Sequence, residues 1–339
     1  MGSRSSSCSS SSSLHVAAAL RQRLELWREE CGVDEYYDLG YRAPHKEQVV
    51  DPVLNRFNGG MGPYAEHLFE DLKRVEYINA TPMDHLKGEP YKYIATMCPK
   101  MQTILHFWLM AWEKDVRLVV NLSHLKDRVG SGPHDKRENY WPPYRYELDV
   151  SDWPVRVETV KNVDKGGGLI EISVRLTLVE TQEEREVVIL WYQQWVDFPK
   201  ARSIYNDSFQ VNARNVLDVA KLVDEHGKYA PDSWIVVHCS AGVGRTGTLI
   251  AILNALHRMQ SIRSIGDLDE CIKEAIEDMR QRRLWMVKSD SEYATIYNAI
   301  LIFLEGSRAA IAAEEAAFVQ EDDDSAPDND ADVKQYEDL

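Results

Sequence analysis

The sequence predicts one large α/β domain, and three observations lead to this expectation. The chain of 339 residues has 44% hydrophobic and 28% charged side chains, which are ordinary values for a globular protein. Helical and β-type patterns alternate from about residue 45 to residue 305, with no linker or internal repeat between them. No stretch approaches the roughly 18 consecutive apolar residues that a membrane-spanning helix needs, so no transmembrane segment is expected.

The hydrophobic patterns predict the individual elements in chain order. Apolar positions at helical spacing predict helices over 17–31, 248–259, 271–282 and 293–304. Short β-rich runs predict strands over 116–122, 169–179, 185–191 and 235–238. The second and third of these strands are close enough in sequence to form a hairpin.

The two ends of the chain differ from its centre in composition. Residues 1–15 are mostly serine, which predicts a disordered arm. From Glu314 to Leu339 there are eleven acidic residues and one basic residue, a composition typical of a solvated tail. We therefore expect a folded domain over residues 16–306, followed by an acidic disordered tail over residues 307–339.

Charge and cysteine content exclude several classes of function. The formal net charge is −16, so a nucleic-acid partner is not expected. The five cysteines are scattered without CxxC spacing, which argues against a disulfide framework or a zinc site. Unpaired cysteines suit a reducing compartment, so the sequence predicts a cytoplasmic protein that needs no metal or other cofactor.

One segment combines a buried strand, a glycine-containing turn and the start of a helix. The strand 235–238 leads into Cys239, and Arg245 follows just before the predicted helix. Glycines allow the turn to curl so that successive backbone N–H groups face inward, and such a nest at a helix N-terminus binds phosphate. Arg245 adds a planar donor for two phosphoryl oxygens. The predicted phosphate-binding loop consists of Ser240, Ala241, Gly242, Val243 and Gly244.

Cys239 lies at the mouth of this predicted nest. Its donors and the helix dipole favour a thiolate, which is a nucleophile that can attack phosphorus in line. Thr246 can donate its hydroxyl to the departing sulfur, and His238 can orient the loop by hydrogen bonding. A buried structural cysteine is the alternative and is the commoner fate of a single cysteine. The combination of His, Cys, three Gly and Arg at fixed offsets favours the nucleophile.

Residues His238–Gly247 resemble the signature of the cysteine-dependent protein tyrosine phosphatases. Glu76–Ala80 resembles the Tyr-Ile-Asn-Ala segment of that family, and Tyr93–Trp108 resembles its next block. Lys136 with Tyr140–Pro142 resembles its Lys-x-x-x-Tyr-Trp-Pro block, which would make Lys136 a supporting residue. The smaller dual-specificity enzymes lack these blocks. The resemblance therefore implies the larger, tyrosine-specific, non-receptor class and its fold, a twisted mixed β-sheet flanked by helices.

The resemblance also implies a general acid and an aromatic wall. Trp195-Val196-Asp197 stands where the family has a Trp-Pro-Asp loop, so Asp197 would protonate the leaving phenolate and later activate water. A solvated loop aspartate is the alternative. Asn55-Arg56-Phe57 stands where a tyrosine stacks on the substrate ring, so Phe57 would bind substrate. A plain core phenylalanine is the alternative.

The segment Met286–Tyr293 departs most from the family pattern. Lys288 and Glu292 stand where the family has two glutamines, the first of which positions the hydrolytic water. Lys288 directed into the site would strengthen phosphate binding, but an ammonium group cannot accept a hydrogen bond from water. A lysine turned to solvent is the alternative. Glu292 is a candidate to hold the water instead.

The resulting expectation is an enzyme of signalling that hydrolyses phosphotyrosine in proteins through a cysteinyl-phosphate. Two alternatives stay open: a phosphotyrosine-binding pseudophosphatase slowed by Val196 and Lys288, and a dual-specificity or lipid phosphatase. The oligomeric state is not predicted. Gly2 fits the myristoylation pattern and Cys8 is a candidate for palmitoylation, which would attach the protein peripherally to a membrane. A plain serine arm is the alternative.

Overall fold

The computed structural model describes residues 6–30, 39, 78–123, 140–142, 153–195 and 207–324. Within these ranges the side chains of 6–11, 28–30, 207–211 and 308–324 are not described. The strands are β1 Ala80–Met83, β2 Lys92–Met97, β3 Val116–Asn121, β4 Val155–Gly166, β5 Leu169–Leu178, β6 Glu184–Tyr192 and β7 Trp234–Cys239. The α-helices are α1 Ser6–Glu30, α2 Ile104–Glu113, α3 Asp207–Tyr229, α4 Gly244–His257, α5 Ile265–Arg282 and α6 Asp290–Asp324.

The described strands form one mixed sheet in the order β1-β2-β7-β3-β6-β5-β4. The four central strands, β2, β7, β3 and β6, are parallel to one another, and the outer pairs are antiparallel. Central parallel strands are covered on both faces, which explains why β7 reads as a nearly continuous apolar run. The predicted mixed sheet flanked by helices is confirmed.

Alternate residues of the central strands face two separate hydrophobic cores. In β7, Ile235, Val237 and Cys239 belong to the core shared with α1, α3, α4, α5 and α6. Val236 belongs to the core on the opposite face, which α2 covers. Each predicted strand and helix overlaps an observed element and ends within two residues of it where it runs beyond it, whereas β1, β2, β4, α2 and α3 were not predicted.

The terminal helices extend into both segments that the sequence predicts to be disordered. α1 begins at Ser6, and α6 continues to Asp324. The inner part of α1 is anchored by packing, with Trp27 in edge contact with Tyr297 of α6 at 5.1 Å between ring centroids. Once a helix is anchored, each further residue adds a hydrogen bond without the cost of nucleation. Residues 309–317 also contain mostly alanine and glutamate, which favour helix. The helices α1 and α6 therefore overlap residues 6–15 and 307–324, which the sequence assigns to the two ends of the chain.

None of the described helices combines the length and the apolar character that crossing a membrane requires.

A group of largely buried polar side chains lies at the carboxyl end of α4. Nδ1 of His257 lies 2.9 Å from Oε1 of Glu89, whose carboxylate is fully buried, and Nε2 lies 3.1 Å from Oδ1 of Asp224 in α3. The hydroxyl of Tyr93 donates to Glu89, and that of Tyr91 donates to Asp224. Burial lowers the pKa of His257, but the two carboxylates outweigh burial and raise it above its ordinary value. A protonated imidazole here also complements the helix dipole.

We expect the folded chain to lose stability as the pH rises above about 6.5, the ordinary pKa of histidine. When folding raises the pKa of a histidine, the protonated form stabilises the folded state. This stabilisation is complete below the unfolded-state pKa and is lost as the pH rises through the folded-state pKa. His257→Gln should therefore flatten this dependence and reduce the free energy of unfolding by about 1 kcal/mol in mildly acidic buffer. Urea unfolding at about pH 6 and about pH 8.5 measures the effect.

His226→Gln is the matched control for that experiment, because His226 lies on α3 and makes no ion pair with any described residue. Its pH dependence should follow that of the wild type. Parallel pH profiles for His257→Gln and the wild type would contradict the role assigned to His257.

Candidate active site

The predicted nucleophile lies at the carboxyl end of a central strand. β7 ends at Cys239, which is in register with Met97 of β2, and the preceding His238 is in register with Asn121 of β3. Cys239 is 3% exposed. The carboxyl ends of parallel strands meet at one edge of the sheet, where α/β proteins place their ligands. The strand order thus puts Cys239 at that edge with neighbours on both sides.

Arg283 holds the centre of the loop that follows Cys239. This guanidinium is fully buried, and it donates to the carbonyls of Gly242 at 2.7 Å and Ala241 at 3.0 Å. The same group donates to the side chain of Asn79, just before β1, and to that of Thr81, within β1. Arg283 therefore ties two consecutive carbonyls of the loop to the edge of the sheet.

The neighbouring loop carbonyls are bonded to other groups of the protein. Nδ1 of His238 donates to the carbonyl of Cys239 at 3.2 Å, and the N–H of Cys98 donates to that of Ser240 at 3.3 Å. The carbonyl of Val243 accepts from two backbone N–H groups, those of Gly247 and Val287. All five carbonyls from 239 to 243 consequently have a hydrogen-bond partner in the protein.

These bonds determine where the loop N–H groups point. In a planar trans peptide the C=O of one residue and the N–H of the next are directed to opposite sides. Because the carbonyls of 240–243 are bonded to the protein, the N–H groups of 241–244 point away from those partners. Successive N–H groups presented in this way just before a helix form an anion-binding nest. This supports the loop predicted from the sequence.

Gly242 allows the loop to approach β2 closely. Its φ is +70°, in the region that favours glycine. A Cβ atom there would lie 2.0 Å from the carbonyl oxygen of Thr96, which is backbone and cannot easily move. Any side chain at this position would push the loop off the sheet edge. The sequence analysis gave Gly242 a conformational role, and the structure adds this steric one.

His238 supports the loop from behind through hydrogen bonds at both ring nitrogens. A carbonyl oxygen only accepts, so Nδ1, bonded to the carbonyl of Cys239, carries the hydrogen. Nε2 then accepts from the hydroxyl of Tyr140 at 2.8 Å. His238 and Tyr140 are both fully buried. The orienting role predicted for His238 would use these two hydrogen bonds, one to the loop and one to Tyr140.

Arg245 is buried in the first turn of α4. Its Nη1 donates to the carbonyl of Leu122 at 2.8 Å, beyond the end of β3, and to that of Trp195 at 2.9 Å, beyond the end of β6. Arg245, Arg280 and Arg283 are all nearly inaccessible to solvent. Arg245 and Arg283 therefore bring positive charge to the loop of an acidic protein, as phosphate binding requires.

Two hydroxyl groups next to the loop have no hydrogen-bond partner among the described residues. They are Oγ of Ser240 and Oγ1 of Thr246, and both are buried. Buried hydroxyl groups normally make a hydrogen bond. Two that have none among the described residues indicate a site where a ligand or a charged sulfur accepts their hydrogen bonds. The predicted donation from Thr246 to the sulfur of Cys239 would use one of these hydroxyls.

Lys288 lies two residues before α6, and Glu292 lies in its first turn. Oε2 of Glu292 accepts from the N–H groups of Lys288 at 2.7 Å and Ser289 at 3.1 Å, while Oγ of Ser289 accepts from the N–H of Glu292. This reciprocal pair is a capping box. Glu292 thus has a structural use that the sequence analysis did not assign, and the side chain of Lys288 is exposed.

Several predicted site residues cannot be placed. Phe57, Lys136, Val196 and Asp197 lie outside the described residues.

Arg283 is the functional residue that the sequence analysis missed. The sequence of the run Arg280–Arg283 does not distinguish Arg283, which reaches the loop, from its neighbour Arg282. Arg282 instead forms ion pairs with Asp84 and Asp278 on a partly exposed surface.

The family profile for protein-tyrosine phosphatase matches residues 67–302, which is more than half of the chain. The chain belongs to the protein-tyrosine phosphatase family, as its sequence motifs predict.

Curated relatives include receptor and non-receptor types. The chain is 31% identical over 306 residues to receptor-type tyrosine-protein phosphatase H of Homo sapiens, covering 85% of this chain and 25% of that protein. It is 29% identical over 237 residues to tyrosine-protein phosphatase non-receptor type 9 of Rattus norvegicus, and the match covers 68% of this chain and 38% of that protein. It is 29% identical over 272 residues to tyrosine-protein phosphatase non-receptor type 61F of Drosophila melanogaster, and the match covers 77% of this chain and 45% of that protein. The chain spans less than half the length of each of these relatives.

We expect Thr246→Val to separate activity from stability. Valine resembles threonine in shape and removes a buried hydroxyl that has no partner, so the free energy of unfolding should change by less than about 1 kcal/mol. Turnover should fall by about tenfold or more, because the sulfur loses a positioned donor. Thermal unfolding and steady-state kcat measure the two effects.

Thr248→Val is the control, because its buried hydroxyl already donates to the carbonyl of Gly244 at 3.1 Å. This variant should lose about 1 kcal/mol of stability with little change in kcat. If both variants lose stability equally and neither loses turnover, the hydroxyl of Thr246 has no part in the reaction.

Proposed function

We propose that the chain hydrolyses phosphotyrosine in proteins through a cysteinyl-phosphate intermediate. The observation that carries the proposal is the loop whose five carbonyls from 239 to 243 all bond to the protein, with Cys239 at its start and buried Arg245 at its end. An anion-binding nest beside a thiol is suited to nucleophilic attack on a phosphate ester. Membership of the protein-tyrosine phosphatase family supports the same reaction.

In the first step the thiolate of Cys239 attacks phosphorus, and the bond from phosphorus to the tyrosyl oxygen breaks. The loop N–H groups and Arg245 bind the non-bridging oxygens, whose charge they stabilise in the transition state. Asp197 gives a proton to the departing phenolate, which is a poor leaving group with a conjugate-acid pKa of about 10. The products are free tyrosine in the protein substrate and phosphate bound to sulfur.

In the second step a water molecule attacks phosphorus, and the bond to sulfur breaks. Asp197, now ionised, takes the proton from water, and Thr246 donates its hydroxyl to the thiolate that reappears. Inorganic phosphate leaves and the enzyme is restored. No metal or other cofactor enters this scheme, so activity should persist in a chelator.

One observation favours a slower second step. A positioned water needs an acceptor, and Lys288 offers donors only. Glu292 could supply one, but its Oε2 is already bonded to the N–H groups of Lys288 and Ser289. The second candidate function is therefore a phosphotyrosine-binding pseudophosphatase, which would bind substrate or form the intermediate without continued turnover.

We further propose a non-receptor signalling enzyme of the cytoplasm. Cys98, Cys239 and Cys271 form no disulfide bond with one another or with any other described residue, which suits a reducing compartment. Burial raises the pKa of Cys271 to about 11, so this thiol stays protonated and unreactive. A lipid anchor on Gly2 or Cys8 would attach the protein to membranes, and the intact mass of the mature N-terminus tests it.

The experiment that tests the proposed function compares three substrates with the purified full chain: a phosphotyrosyl peptide, the matching phosphoseryl peptide and a phosphoinositide. Steady release of phosphate from the phosphotyrosyl peptide, with at least a hundredfold lower kcat/KM for the other two, is expected. Cys239→Ser should reduce turnover to background while keeping the fold, since a serine hydroxyl does not ionise near neutral pH. Cys271→Ser, which alters a thiol at the interface of α5 with α4, should remain active.

Formation of at most one dephosphorylated peptide per enzyme molecule, without continued release of phosphate, would favour the pseudophosphatase. Preferential hydrolysis of the phosphoseryl peptide or the phosphoinositide would contradict the tyrosine-specific function. Ordinary activity in Cys239→Ser would refute the mechanism.

A further inference from the structure

The chain makes a tight turn at the end of strand β3, and the side chain of Asn121 holds this turn. Asn121 is the last residue of β3 and is fully buried. Its Oδ1 accepts from the backbone N–H of Ser123 at 2.9 Å and from the hydroxyl of the same residue at 2.5 Å. Asparagine often bonds to the backbone two residues further along in this way, which defines an Asx turn. The bond fixes the chain where it leaves the sheet.

The turn orients the peptide group between Leu122 and Ser123. In a planar trans peptide the C=O and the N–H point to opposite sides. The N–H of Ser123 is directed at Asn121, so the carbonyl of Leu122 is directed away from it. That carbonyl accepts from Nη1 of Arg245 at 2.8 Å. One rigid peptide plane therefore connects the amide of Asn121 to the guanidinium of Arg245.

The two ends of the turn are held by the neighbouring strands. The N–H of Leu122 donates to the carbonyl of His238 in β7 at 2.8 Å. The carbonyl of Ser123 accepts from Nε1 of Trp191 in β6 at 3.1 Å. These bonds place the turn on the sheet, and the bond to Asn121 sets the rotation of the peptide plane between them.

Stability alone does not account for an asparagine at this position. Its Nδ2 is buried and makes no hydrogen bond to any described residue. A buried donor without a partner lowers stability, and the preceding strand residues Val119 and Val120 carry no such group. β-branched residues also suit a strand better than asparagine does. The oxygen of this amide has a use in the turn, whereas its nitrogen lowers stability.

The carbonyl that the turn aims contributes to fixing the orientation of Arg245. Nη1 of Arg245 is bonded both to this carbonyl and to that of Trp195, at 2.8 and 2.9 Å. A guanidinium binds two phosphoryl oxygens at once only when its plane is aligned with them. Misplacing a reacting group by about 1 Å can lower a rate by about a hundredfold. The direction of the Leu122 carbonyl therefore bears on how Arg245 meets a phosphate.

We infer that Asn121 is a positioning residue for Arg245, which it orients through the peptide plane between Leu122 and Ser123. This inference rests on the proposed function, in which Arg245 binds the non-bridging oxygens of the phosphoryl group. Every residue in the connection from Asn121 to Arg245 is buried. Loss of the acceptor on Asn121 should therefore weaken the binding of phosphate.

The test compares Asn121→Val with Asn121→Thr, which have almost the same shape and differ in one acceptor. The threonine hydroxyl can accept from the N–H of Ser123 in a weaker form of the same turn, whereas valine cannot. Asn121→Val should lower kcat/KM for a phosphotyrosyl peptide by about tenfold and raise the inhibition constant of inorganic phosphate by about the same factor. Asn121→Thr should keep both values within about threefold of the wild type.

Two further variants serve as controls, and thermal unfolding of each variant shows that it is folded. Asn121→Ala also lacks an acceptor and should match Asn121→Val, so the comparison survives if valine is not accommodated. Ser123→Ala removes the hydroxyl from the turn but leaves the backbone N–H that bonds to Asn121. It should change both values by less than about twofold.

A double-mutant cycle separates the positioning of Arg245 from a general distortion of the site. Cys239→Ser is present in all four proteins to prevent turnover, and Arg245→Met removes the guanidinium. Affinity for the phosphotyrosyl peptide is measured by fluorescence anisotropy with and without Asn121→Val. The loss of affinity should be about tenfold when Arg245 is present and less than about twofold when it is replaced, because coupled residues are not additive.

Equal losses from Asn121→Val in the two backgrounds would overturn the inference, because they would indicate an effect that does not pass through Arg245. Equal losses in Asn121→Val and Asn121→Thr, or wild-type kinetics in a folded Asn121→Val, would also overturn it. If the wild type hydrolyses the peptide no faster than Cys239→Ser, the proposed function itself fails, and this result is distinct from a selective loss in the variants.

Discussion

The site depends on one constraint: the carbonyls of the loop after Cys239 must all point away from the space where an anion would bind. A polypeptide has as many backbone acceptors as donors, so a loop can present only N–H groups if each carbonyl has a partner elsewhere. Arg283 supplies partners for two of them, and His238, Cys98, Gly247 and Val287 supply the rest. The loop is therefore held in its binding form by the protein alone.

The order of the sheet makes these partners available. Since β7 lies between β2 and β3, the loop after Cys239 is flanked by the ends of both neighbours. Cys98 and Thr96 come from the side of β2, Leu122 follows β3, and Trp195 follows β6. Because these contacts come from three strands other than β7, the site forms only when β2, β3 and β6 are in place. The same arrangement connects Arg245 directly to the chain that leads to Asp197.

The sequence predicted the fold class and the chemical centre because both leave strong local patterns. The apolar run before Cys239 and the glycines after it are adjacent in the chain, so strand, loop and helix follow from sequence spacing. The partners of the loop carbonyls are distant in sequence, and a pattern of residue types does not pair Arg283 with Gly242. The extension of α1 and α6 was missed for a similar reason, since tertiary anchoring of the inner helix, rather than local composition, makes it continue.

The central claim is that Cys239 carries the phosphoryl group during turnover. It is tested most directly by mixing the purified chain with a phosphotyrosyl peptide, stopping the reaction by rapid denaturation and locating bound phosphate by mass spectrometry of the digested protein. The account predicts one phosphate on the peptide that contains Cys239, and none in Cys239→Ser. Continued hydrolysis with phosphate on a different residue, or on none at all, would contradict it.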